Sequence, residues 1–300
     1  MTDLVIRPLV AGEEPLFESL SDPGLVGRAL LGRTYGAMAD AGEYRPEWSW
    51  VALRDGVVVA RAAWWGGPDD PAPVALDWFD FTDFDAAVHL LRTAPLRAEY
   101  SLSVPPDWRA DPAVRHATER RLDAAAAGGL RFLVERHTYH WTLECGLPER
   151  PDRLVYRPEP DDDVVFDVLR RVQHGSLDAH GARVAGESGV DAAAREDLDL
   201  LLWMPSPRDR WRLAHTPGGD VVGLTVPSRN HSSPVVAFVG VVPEQRGHGY
   251  AYDLLVEATH LLVEDGAEQI VASTDTTNTP MAAAFARAGY PVVRHRIDVV

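Results

Sequence analysis

The sequence predicts a mixed α/β protein made of two halves that resemble each other in outline. Three observations carry this. Each half opens with a short apolar strand closed by Arg-Pro: Leu4-Val5-Ile6-Arg7-Pro8 in the first, Leu154-Val155-Tyr156-Arg157-Pro158 in the second. Each then carries a hairpin. Each finishes with an alanine-rich helix, a glycine and a strand. A weak internal repeat of this kind is the mark of a duplicated domain.

Taken in order, an acidic stretch and a helical pattern follow each opening strand. In the second half Val165, Val168, Leu169 and Val172 recur at helical spacing. The first hairpin is Trp48–Arg54 and Val57–Trp64 around Asp55-Gly56, a strong two-residue turn signal. The second is Trp211–Thr216 and Val221–Pro227 around Pro217-Gly218-Gly219-Asp220. The first half ends in Ala124–Ala127, Gly128-Gly129 and a strand within 130–141, the second in Ala282–Ala288, Gly289 and a strand within 290–299. Gly146, Pro148 and Pro151 interrupt both periods and place a linker at Glu144–Asp152. The domains expected are therefore 1–145 and 153–300.

Composition narrows the function classes. With 46% hydrophobic and 25% charged residues, the chain has a globular balance with material for two cores. No apolar run approaches the ~18 residues needed to span a bilayer, so no membrane partner is expected. The opening Met1-Thr2-Asp3-Leu4 lacks the basic-then-apolar pattern of a secretion signal, which predicts a cytoplasmic protein. The single Cys145 offers neither an internal disulfide nor a metal framework, and no metal is expected. A net charge of −16 repels phosphate backbones, so no nucleic acid is expected. Such a surface suits solubility first and a cationic or amine substrate second.

The stretch from Val235 to Tyr290 carries the chemistry. Val235–Val242 is a continuous apolar run, as expected of a strand buried on both faces, and Pro243 ends it. Glu244-Gln245-Arg246-Gly247-His248-Gly249-Tyr250-Ala251 leads into an amphipathic helix with Leu254, Leu255, Ala258, Leu261 and Leu262 on one face. Strand, glycine loop and helix start together form a phosphate cradle. The first helical turn leaves N–H groups unpaired, the helix dipole adds partial positive charge, and glycines let an anion approach closely. Arg246 supplies a permanent cation. Two glycines alone fit an ordinary tight turn equally well. The downstream pattern narrows the choice: a second buried strand at Gln269–Thr274, then Asp275-Thr276-Thr277-Asn278-Thr279-Pro280 and a helix at Met281–Ala288. Thr279 reads as its N-cap and Pro280 as its first residue.

Over roughly residues 205–295 the sequence resembles the GNAT acetyltransferase superfamily. Val241-Val242-Pro243 followed by Arg246-Gly247-His248-Gly249-Tyr250-Ala251 looks like that family's acetyl-CoA signature. Asn278, Phe285 and Gly289-Tyr290 look like its second motif. The resemblance implies tandem GNAT-like domains, each a mostly antiparallel mixed sheet flanked by helices, and acetyl-CoA as cosubstrate. It implies transfer of acetyl to the amine of a small molecule. Val239, Gly240 and Val241 would lie along the pantetheine arm, and an N–H near Val241 or Val242 would polarise the thioester carbonyl. Residues Gly247, His248, Gly249, Tyr250, Ala251 and Tyr252 would face the diphosphate. Asn278 and Phe285 would lie beside the cofactor. A homodimer is compatible with it.

Two departures stand out. Phe285 occupies the place where the family often has the tyrosine that protonates the leaving thiolate. Val235–Val242 also lacks the carboxylate that many members use as a base. The candidates left for that role are His231 and Asp178, with His174, His180 and Asp275 behind them. A catalytically silent acyl-CoA-binding module is the alternative, and a longer acyl group is also compatible. In the first half the matching stretch, Val74–Phe81 and Thr82–Leu91, has no glycine. Asp77, Asp80 and Asp83 would repel a diphosphate. That half is expected to be structural, with Trp48, Trp50, Trp64, Trp65 and Trp78 packing its core and interfaces.

Overall fold

The structure, a computed structural model, describes residues 4–28, 33–159, 161–230 and 232–300. The strands are β1 (Leu4–Pro8), β2 (Gly27–Arg28), β3 (Ser49–Arg54), β4 (Val57–Trp65), β5 (Ala75–Phe81), β6 (Glu99–Val104) and β7 (Phe132–Thr142). They continue as β8 (Val155–Pro158), β9 (Arg212–His215), β10 (Val221–Arg229), β11 (Pro234–Val241), β12 (Gln269–Asp275) and β13 (Val292–Val299). The helices are α1 (Glu14–Glu18), α2 (Tyr35–Asp40), α3 (Phe84–Thr93), α4 (Pro112–Gly128) and α5 (Asp162–Gln173). They continue as α6 (Ala179–Ser188), α7 (Val190–Trp203), α8 (Tyr250–Glu264) and α9 (Thr279–Arg287). No helix among the described residues is long and apolar enough to cross a membrane.

The chain divides into two compact units. One comprises residues up to Glu135 together with Arg294–Val300; the other is Arg136–Val293. The expected break at 144–152 therefore differs from the observed ones at 135/136 and 293/294. In the first unit the strand order is β1-β3-β4-β5-β6-β13. In the second it is β8-β9-β10-β11-β12-β7. Position by position the two orders match, with a single exchange: each sheet is completed by the strand that ends the other half of the sequence. Backbone pairing rather than sequence proximity decides this, through Leu102↔Ile297 in one unit and Ala272↔Tyr139 in the other.

The first hairpin turns at Asp55 (φ 51°) and Gly56 (φ 80°), the two left-handed residues that a tight turn between twisted strands requires. Its strands pair antiparallel from Arg54↔Val57 to Ser49↔Ala63. In both units the central strand meets its next neighbour in parallel and only briefly. β5 pairs β6 at Ala75↔Glu99 and Leu76↔Tyr100. β11 pairs β12 at Val235↔Val271. Beyond those points the strands splay. In both units a register shift precedes the splay, between Ala63 and Trp64 in one and between Val226 and Pro227 in the other. A bulge of this kind bends the strand and strengthens its twist.

Apolar side chains fill both units. In the first, Trp48, Trp64, Phe79, Leu90 and Leu102 form one buried cluster, and Phe17, Tyr35, Met38 and Tyr44 another. Trp50, Trp65 and Trp78 are half-buried against these clusters. In the second, Leu255, Ile270, Phe285 and Tyr290 pack together, and Val165, Leu169, Leu198 and Trp211 pack around Leu224.

Candidate functional site

A cleft of about 520 Å³ opens in the second unit where β11 and β12 part. Val239, Gly240 and Val241 form its floor, and Gly247, Gly249, Tyr250, Ala251 and Tyr252 one wall. Along β11 the Val242 N–H donates to the Val222 carbonyl at 2.9 Å. Hydrogen-bonding direction alternates along a strand, so the N–H groups of Val239 and Val241 point the other way, towards the splay. This corrects part of the expectation: Val242 has no N–H to offer a ligand, and the N–H of Val241 is the one that faces the splay.

The loop before α8 is built as a cradle. Gly247 and Gly249 have φ of 85° and 77°, the left-handed region that favours glycine. Gly249 is the N-cap of α8, and no side chain caps the helix. A Cβ built at Gly247 would meet nothing within 4 Å, so the loop borders open space. The Tyr252 N–H is not available, since it donates to the Gly249 carbonyl at 3.1 Å, but the amides of Tyr250 and Ala251 are left for an anion, where the helix dipole favours one. The group the resemblance implies, a diphosphate with a pantetheine arm, fits these features: bare amides at one end, an unpaired strand edge at the other.

Two arginines hold the loop in shape. Arg153 donates to the His248 carbonyl at 3.1 Å and pairs with the buried Asp253 at 2.8 Å. Arg246 donates to the carbonyls of Val172 (2.7 Å), His174 (2.7 Å), Gly175 (3.1 Å) and Val241 (3.1 Å). The guanidinium of Arg246 is therefore spent on closing the end of α5 and fixing the loop. One of its five N–H groups remains for the expected contact with a phosphate.

The remaining sequence-derived residues divide. His248 is exposed and is not among the residues lining the cleft; it stacks on Tyr250 at 5.4 Å, with Nδ1 3.2 Å from the Gln245 carbonyl. Asn278 lines the cleft, and it also caps α9 by accepting from the Met281 N–H at 3.3 Å. The cap is thus Asn278, and Thr279 is the first helical residue rather than the cap. Asn278 keeps its amide N–H₂ as a donor. Phe285 is buried in the core, stacked 4.1 Å from Tyr139, and is not among the residues lining the cleft.

The base candidates are placed less favourably. His231 lies outside the described residues. Asp178 caps α6 by accepting from the Gly181 N–H at 2.8 Å, and it accepts from Arg136 at 3.0 Å. Asp275 is buried, 2.9 Å from Arg136, and accepts from the Ala179 N–H at 2.7 Å. Burial raises its pKa, with Arg136 opposing. The segment after α5 is helical from Ala179, because Asp178 is a good cap, and His180 sits in that helix. His174 ends α5, exposed. A carboxylate not singled out in the sequence, Asp197 on α7, accepts from Gln173 at 2.6 Å. Its pKa is pushed up to about 6, chiefly by burial.

The sequence reading also missed the opposite wall. Pro280, Ala283, Ala284 and Arg287 of α9 line the cleft, as do Ser176 and Leu177 between α5 and α6. Spacing was the available signal. Positions 280, 283, 284 and 287 form one helical stripe, small except for its final arginine.

Residues 191–290 match a model described as the acetyltransferase (GNAT) family. A curated mycothiol acetyltransferase from Pseudarthrobacter chlorophenolicus is 28% identical over 163 residues, 52% of this chain and 47% of that protein. The match thus spans about half the length of the curated relative. A GCN5-related N-acetyltransferase from Sphaerobacter thermophilus superposes with TM-score 0.56 at 15% identity, covering 99% of this chain and 94% of that one. A tandem GNAT protein from the clavulanic acid biosynthesis pathway superposes with TM-score 0.50 at 17% identity, covering 99% and 98%. At these identities the two structures speak for the fold, that of tandem GNAT proteins.

Proposed function

We propose that this chain, a member of the GNAT superfamily, uses its second unit to transfer an acetyl group from acetyl-CoA to the amine of a small molecule. The observation that carries this is the uncapped start of α8 beside the unpaired edge of β11. Amides at Gly249–Ala251 hold the diphosphate. The edge of β11 pairs with the pantetheine arm, and Asn278 adds a donor beside it. The Val241 N–H is aimed where a carbonyl oxygen would gain negative charge during attack, and a preorganised donor there lowers the barrier. The thioester supplies the chemistry when bound: an activated acyl carbon and a thiolate able to leave. The acidic surface favours a cationic acceptor.

A second reading is a binding module that has lost turnover. It is favoured by one observation: Asp178 and Asp275, the described carboxylate candidates for a base, are both tied to Arg136. One experiment separates the two. Purified protein is titrated with CoA by calorimetry, then incubated with acetyl-CoA and an amine panel while free thiol is followed. Amines related to mycothiol belong in the panel, after the relative's name. Binding with amine-dependent thiol release supports the transferase. Binding without release on any amine supports the module. No association with CoA overturns both.

A further inference from the structure

The cleft stands apart from the rest of this acidic chain. Across 300 residues acidic side chains outnumber basic ones by 45 to 29. None of the residues lining the cleft is acidic, and two are arginines, Arg246 and Arg287. Arg246 is committed to four backbone carbonyls. Arg287 is exposed on the last turn of α9 and makes no ion pair or hydrogen bond with a described residue. Its guanidinium lies over the Tyr252 ring, 3.8 Å from the centroid. That stacking orients the planar cation without using its N–H donors, which stay available for an oxyanion.

Position decides which anion. Tyr252 is the third residue of α8. Arg287 therefore sits on the flank of the first turn, whereas the open amides point along the helix axis. A diphosphate held by those amides leaves the flanking cation unneutralised. A ligand bearing a second phosphate, separate from the first, neutralises both. Resting on the acyl-CoA reading of the cleft, we infer that Arg287 recognises the phosphate monoester at the 3′ position of the CoA ribose, making the site selective for CoA over its dephosphorylated form. A phosphate monoester carries close to two charges at neutral pH, and arginine binds it with paired, charge-assisted hydrogen bonds.

The test compares CoA with 3′-dephospho-CoA by calorimetry on the full chain, as wild type, Arg287→Ala and Arg287→Lys. Wild type is expected to prefer CoA by about tenfold or more, as a charge-assisted contact to a phosphate monoester implies. Arg287→Ala should bind CoA only as well as wild type binds dephospho-CoA, with its dephospho-CoA affinity unchanged. Arg287→Lys should retain part of the preference. The preference should shrink as salt is raised. Equal binding of both ligands by wild type overturns the inference, and needs no variant to fold. An equal loss for both ligands in Arg287→Ala also overturns it, by moving the contact to the diphosphate. Binding of neither ligand by wild type overturns the acyl-CoA reading itself.

Discussion

The helix that follows the central strand begins differently in the two units. At the start of α3, Asp83 accepts from the Ala86 N–H at 3.0 Å and from Arg54 Nε at 3.1 Å. At the start of α8, Gly249 has no side chain to offer and the amides stay open. The neighbouring splays differ in the same sense. Where β5 leaves β6, β2 takes the vacated edge through Gly27↔Ser103 and Arg28↔Leu102, since β13 holds the other edge. Arg28 then lies 3.5 Å from the Trp78 ring centroid and 3.7 Å from Asp77, which also accepts from the Tyr44 hydroxyl. Where β11 leaves β12, no strand intervenes among the described residues and the cleft opens. The same framework is thus closed upon itself in one unit and left open in the other. The room for a ligand depends here on which groups the chain leaves unsatisfied.

Moving the first unit's solution into the second breaks this contrast most strongly. Gly249→Asp places a carboxylate where Asp83 stands in the other unit, and aspartate tolerates the left-handed backbone better than most residues. CoA affinity should fall by about a hundredfold or more, because a resident anion takes the amides. Far-ultraviolet circular dichroism should be unchanged. Retained affinity would mean that the amides of α8 do not hold the diphosphate.

Removing that solution from the first unit comes next. Asp83→Ala should cost about 1–2 kcal/mol in urea unfolding at neutral pH, as for a lost cap. CoA binding should be unaffected. The Ala86 amide and the Arg54 pair hold the Asp83 carboxyl below its ordinary value. Its contribution is therefore present above the ordinary carboxylate pKa and is lost as pH falls through the lowered one. The gap between wild type and Asp83→Ala should close in acid. A gap that persists there would assign the effect to packing.

The smallest effect sharpens the contrast inside the second unit. With its pKa raised to about 6, Asp197 favours the folded state when protonated. That stability is complete below the ordinary carboxylate value and is lost as pH rises through about 6. Asp197→Asn can still accept from Gln173. It should stabilise the protein by about 1 kcal/mol at pH 8, after allowance for partial exposure, and match wild type near pH 4. A thermal melt series across pH checks this. A gain independent of pH would remove the titration from the account.

Much of this was legible in the residues. Asp55-Gly56, the paired Arg-Pro strands and the run from Val235 through Gly249 each act over a few positions, where turn geometry and alternation are local rules. The cleft floor and cradle were legible for the same reason. Arg287 and Asp197 were not, because their meaning depends on what lies across from them. Arg246 and Asp178 were legible as charged groups, yet their partners, the carbonyls of Val172 and His174 and the guanidinium of Arg136, are distant in sequence.

By itself the sequence determined the mixed α/β class, the two similar halves and the glycine loop opening a helix. These follow from backbone stereochemistry and apolar periodicity, which neighbours along the chain decide. Long-range packing settled that β7 and β13 are exchanged between the units, that β2 occupies one splay, and that Arg246 is engaged by backbone carbonyls while Arg287 is not. Those outcomes rest on which hydrogen-bonding groups find partners, and that is settled by packing among segments far apart in the chain.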